Sequence, residues 1–148
     1  MATLFAKRAK APANMPVDGR AISLVDSIAL AANPVALDVI NLVRIPAGME
    51  VSVVQIQADD LDTNGAPTLV FRAGYAPCDT GSALAASNAY FAAAGQTLGQ
   101  AGGRLNCAFK PIKFEEDVWL TLTVNTAAAT FAAGEIYGIV LGAAVGPK

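Results

Sequence analysis

The stretch from Glu50 to Tyr75, EVSVVQIQADDLDTNGAPTLVFRAGY, reads as strand, turn, strand. From Pro67 to Tyr75 the side chains alternate. Leu69, Phe71, Ala73 and Tyr75 fall on one side, and Thr68, Val70 and Arg72 on the other. A two-residue period is the mark of a half-buried strand, because successive side chains leave opposite faces of the pleat. Glu50 to Ala58 is rich in Val and Ile, which fit a pleated surface. Between them, Asp59 to Gly65 is a dense turn signal, and Asn64-Gly65 readily supplies the positive φ of a tight reversal. The stretch therefore predicts a β-hairpin.

The same reading extends in both directions. Ala21–Leu30 and Val39–Ile45 are predicted strands, the second ended by Pro46-Ala47-Gly48. Arg104–Phe109 is another. In Asp117–Asn125, Val118, Leu120, Leu122 and Val124 point one way, and Trp119, Thr121 and Thr123 the other. Gly134–Val145 closes the chain, with Ile136 and Val140 on one face and Tyr137, Ile139 and Leu141 on the other. Apolar residues on both faces predict a strand covered twice. Pro77–Gly103 is irregular, with a short helix expected within Ala83–Ala94. Residues 1–20 lack periodicity and are broken by Pro12 and Pro16, which predicts an extended N-terminal arm. Seven or eight short strands with regular turn signals predict an all-β, jelly-roll-like antiparallel β-sandwich over residues 21–148.

A chain of 148 residues is sized for a single core. Apolar residues make up 54% of it. No window matches the roughly 20 apolar residues of a membrane span, and no signal peptide is evident. A soluble protein made in the cytoplasm, without a membrane partner, is the expectation. The net charge of −2 is uneven: residues 1–20 carry +3 and the remainder −5. An acidic body argues against nucleic acid as a partner. The basic arm, with Lys7, Arg8 and Lys10 beside Phe5, either docks on an acidic partner or is a solvated tail.

Catalytic chemistry finds little support. The chain has no histidine, which removes Ser-His-Asp and Cys-His catalysis and the commonest zinc ligand. Asp60-Leu61-Asp62-Thr63-Asn64-Gly65 matches the opening of an EF-hand loop, but Phe71 occupies the twelfth position in place of the bidentate Glu. A plain turn is the reading, with no metal or other cofactor. Glu115-Glu116-Asp117 diverge along an extended backbone and form no acid/base pair. Cys78 and Cys107 are read as free thiols. The outward Trp119 is open to three readings: an interface anchor, a carbohydrate platform, or a ring covered by the chain's own arm.

Several segments resemble small virion proteins of tailed bacteriophages: Ala58–Leu69, Gln100–Gly103, Phe114–Asp117 leading into a Thr-rich strand, and the Ala-rich connection before the last strand. Together they span about residues 45–142. The resemblance is to head decoration, or cement, proteins with a jelly-roll fold. It implies a non-enzymatic protein on the outer surface of the virion that binds the major capsid protein and stabilises the shell, as dimers or trimers. A homodimer is the simplest expectation. Under this reading Phe5, Lys7, Arg8, Lys10, Trp119, Tyr137, Ile139 and Leu141 contact the shell or a sister subunit. The rival reading is a carbohydrate-binding module of the phage tail or fibre.

Overall fold

The computed structural model describes residues 1–7 and 19–146, and among them the chain forms strands and no helix. The strands are β1 (Thr3–Phe5), β2 (Ala21–Leu30), β3 (Val39–Ile45), β4 (Met49–Ala58), β5 (Val70–Pro77), β6 (Ser87–Gln96), β7 (Gly103–Asn106), β8 (Ile112–Lys113), β9 (Val118–Thr126) and β10 (Gly134–Ala144). One sheet has the order β1-β3-β9-β5-β6. The other has the order β2-β10-β4-β7, with β8 also on β4.

The topology is that of a jelly roll. Antiparallel pairs nest from the outside inward: β2 with β10, β3 with β9, β4 with β7 and β8, then β5 with β6. Rolling that long ribbon closes the sheets through two more antiparallel pairs, β10 with β4 and β9 with β5. The chain consequently changes sheet at each step from β2 to β5. The first strand, β1, is an addition that runs parallel to β3.

Alternation along each strand places the core between the sheets. Ile40, Phe71, Leu120, Leu122 and Val124 from one sheet meet Val54, Ile56, Ile136 and Val140 from the other, and all are fully buried. Each such side chain contributes about 1.5–3 kcal/mol on burial. Gly138 sits on the inner face of β10, where a Cβ would come within 2.8 Å of Val43 and 3.1 Å of Leu42. Its missing side chain lets the last strand approach β3.

The structure corrects three expectations. Glu50–Tyr75 is strand, loop, strand, but β4 and β5 lie in different sheets and do not pair as a hairpin. Gly65 does not adopt a positive φ, and Leu37 is the one non-glycine that does among the described residues. The loop crosses the end of the sandwich and needs no tight reversal. Ala83–Ala94 contains no helix: Ser87–Gln96 is the edge strand β6, paired with β5 through two register shifts. The alanines there satisfy either structure, and tertiary pairing decides.

Candidate interaction surfaces

The acidic run after β4 is a structural staple. Asp62 is 1% exposed, and its carboxylate accepts backbone N–H bonds from Thr68 (2.7 Å), Leu69 (3.1 Å), Ala129 (3.0 Å) and Thr130 (2.9 Å). Burial alone would raise its pKa, but the four donors outweigh it and hold the carboxyl well below the usual carboxylate range. Asp62 thereby ties the β4–β5 connection to the Ala-rich connection before β10. Its neighbour Asp59 accepts the N–H of Glu135 at 2.8 Å. The amides of two connections converge on the Asp62 carboxylate, a structural role that accounts for its burial. Among the described residues no group of three or more acidic or cysteine side chains could hold a metal.

The two thiols are likewise inert. Cys78 and Cys107 are unbridged and half-buried, and burial pushes both up to about 11. Neither presents a reactive thiolate at neutral pH.

The beginning of the chain packs on its own body. Val39 N–H donates to Ala2 O and Ala6 N–H to Asn41 O, each at 2.8 Å, while Lys7 N–H reaches across to Ser27 O at 3.0 Å. Ala6 is buried. Phe5 sets its ring edge-on to Trp119 at a centroid distance of 5.6 Å, and the Arg44 guanidinium lies 5.8 Å from the same indole. Trp119 is thus partly covered from within. Lys7 pairs with Glu135 at 3.2 Å, bridging the two sheets at the surface. Arg8 and Lys10 lie outside the described residues.

The outer face of the β2-β10-β4 layer brings together side chains far apart in sequence. Ile139 lies between Val25 and Gln55, Leu141 between Ser23 and Val53, and Tyr137 between Ser27 and Gln57. Val25 is 48% exposed, and Val53, Tyr137 and Leu141 are each 36% exposed. The result is an apolar patch across three strands, edged by polar residues. The Tyr137 hydroxyl donates to Glu135, and with Lys7 it holds that carboxylate below its usual range. Tyr137, Ile139 and Leu141 were legible from the pattern of the last strand. Val25 and Val53 were not, because their strands gave no cue to which neighbour they would join.

The opposite outer face, on β3, β9 and β5, is of another kind. It carries Asn41, Arg44, Trp119, Thr121, Thr123, Asn125 and Arg72. Thr121 and Thr123 are 2% and 3% exposed although they point away from the core. One reason is that the backbone of Ser87–Asn88 lies against Gly74, where a Cβ would meet Ser87 O at 1.9 Å.

These features define a rigid jelly-roll sandwich with two contrasting outer faces and no convergent catalytic group among the described residues. That architecture is found in phage capsids. The chain is similar to one from the capsid of Ralstonia phage GP4, at 26% identity and a TM-score of 0.76, over 99% of this chain and 100% of that one. It is similar in fold to a chain of the cyanophage Pam1 capsid asymmetric unit, at 24% identity and a TM-score of 0.70, over 93% and 94% of the two chains. No family model and no curated protein matches the sequence.

Proposed function

We propose that this chain is a non-enzymatic structural protein of a tailed-phage virion, which binds the outside of the major capsid shell and stabilises it. The observation that carries this reading is the end-to-end likeness to the chain from the Ralstonia phage GP4 capsid, over 99% of this chain and 100% of that one. The rest of the molecule supports it. A decoration protein needs a stiff body, an apolar surface for a sister subunit, and a second surface for the shell. The patch of Val25, Val53, Tyr137, Ile139 and Leu141 suits an isologous homodimer, in which the same face meets itself across a two-fold axis. Phe5 and Trp119 belong to the other sheet, and we assign them, with the basic groups of Lys7, Arg8 and Lys10, to contact with the shell. Each copy adds a modest free energy, and many copies on one shell act together.

The test is reconstitution. Heads lacking the chain are incubated with the purified protein, and binding is measured by co-sedimentation. The expected result is saturable binding that raises the temperature at which heads release DNA. Heads that take up none of the protein, or take it up without gaining stability, contradict the proposal.

A further inference from the structure

We propose that the chain matures by loss of Met1, and that the α-ammonium this frees on Ala2 is held by Asp38 as a buried ion pair. Asp38 is 5% exposed, and its carboxylate accepts the backbone N–H of Ala2 at 2.5 Å and of Val35 at 2.9 Å. A buried carboxylate needs several donors or a cation. Asp62 meets that need with four amides, whereas Asp38 has these two among the described residues.

The elements around Asp38 supply no cationic side chain. Residues 1–6, 31–37 and 118–133 cover β1, the β2–β3 connection, and β9 with the connection after it, and none of them is charged. Arg72 lies on β5, two strands from Val39 across Thr123. Arg44 stands at the far end of β3, paired with Asp117. The charge that does act on Asp38 is the amino terminus. The Ala2 and Val35 amides hold its carboxyl below the usual carboxylate range against the effect of burial, and the terminal charge lowers it further.

Hydrolysis of the Met1–Ala2 bond brings that charge onto the carboxylate. The oxygen of water adds to the Met1 carbonyl carbon, the C–N bond breaks, and the two protons of water end on the Ala2 nitrogen. Free methionine departs. An atom that offered one hydrogen as an amide then offers three as an ammonium. Its place does not depend on Met1, because Val39 N–H donates to Ala2 O at 2.8 Å and Thr3 is in register with Val39. The Met1 side chain is 89% exposed, so its loss empties no cavity. The enzyme required is a methionine aminopeptidase, which accepts a small second residue such as alanine. The pair fastens β1, and with it Phe5 against Trp119. The inference does not rest on the capsid reading.

The test uses the full chain made in bacteria and labelled with ¹³C. Its intact mass should be lower than that of the sequence by one methionine residue, with Ala2 first and unmodified. The Ala2 methyl resonance, followed against pH, then reports the amino group. It should titrate about one unit or more above the ordinary α-amino value of about 7.7–8.0, a proton affinity raised about tenfold. Asp38→Asn should return it to the ordinary range. Because the folded pKa is raised, the stability from the pair is complete below the unfolded value and is lost as pH rises through the folded one. Between about pH 8 and about pH 10 the melting temperature should therefore fall further than in a chain extended by Gly-Ser ahead of Met1, where Ala2 keeps its amide. Retained Met1, an acetylated Ala2, or an Ala2 amino group titrating at its ordinary value each overturns the proposal. So do an unchanged titration in Asp38→Asn and equal falls in melting temperature. The Ala2 titration needs no substitution, so it decides the matter even where Asp38→Asn fails to fold.

Discussion

Replacing Phe5 by alanine separates a packed beginning of the chain from a free arm. Phe5 is half-buried, and its ring meets Trp119 edge-on at 5.6 Å. Burying a whole phenylalanine contributes up to about 3 kcal/mol, so half burial gives about 1 kcal/mol. The aromatic pair adds about 0.5–1.5 kcal/mol. The backbone bonds of β1 to β3 survive the substitution, so the loss should be about 2 kcal/mol, less than the roughly 3–5 kcal/mol of a fully buried phenylalanine. In a domain of about this size each kcal/mol moves Tm by about 2–4 °C, which predicts a fall of about 4–8 °C. Trp119 is the sole tryptophan, so its fluorescence reports the same site. The emission of Phe5→Ala should shift to the red in the folded protein. A Tm within a degree of the parent, with unchanged emission, would refute the reasoning and return Phe5 to a free arm.

Other outcomes follow from single sites. The folded-state pKa of Asp62 is depressed, so the stability it confers is complete above the unfolded value of about 3.9 and is lost as pH falls below it. Asp62→Asn should lower Tm at neutral pH, and its Tm should fall less steeply between pH 5 and pH 2 (about the titration range) than that of the parent. If the proposed homodimer forms through this face, Leu141→Lys, at a residue 36% exposed, should give a monomer by sedimentation with little change in far-UV circular dichroism, and an unchanged sedimentation coefficient would contradict it. With both thiols pushed up to about 11, a disulfide reagent at pH 8 (about neutral) should label Cys78 and Cys107 slowly until denaturant is added, and immediate labelling would contradict their burial.

The strands were legible because their apolar spacing is local. Ala21–Leu30 and Val39–Ile45 coincide with β2 and β3, and the faces read for Val118–Val124 and Ile136–Val140 match the buried residues. Pairing was not legible in the same way. Adjacent strands with a turn between them favour a hairpin on local grounds, yet Glu50–Tyr75 crosses between sheets because β10 and β9 claim the edges of β4 and β5. Asp62 looked like a turn or a calcium ligand, since its role depends on amides of Ala129 and Thr130, more than sixty residues away. The covering of Trp119 by Phe5 was one of three readings, and the parallel pairing of β1 with β3 selects it within the free chain. Thr123 and Arg72 drew no notice as a pair, because only the β5–β9 register sets them side by side.

Cryo-electron microscopy of the parent virion tests most directly whether this jelly roll stabilises a phage capsid from outside. Density for this sandwich is expected on the outer surface of the head, in contact with the major capsid protein, with the Val25–Val53–Leu141 face against a second copy. Density on the tail or fibres, inside the shell, or nowhere in the particle would contradict it.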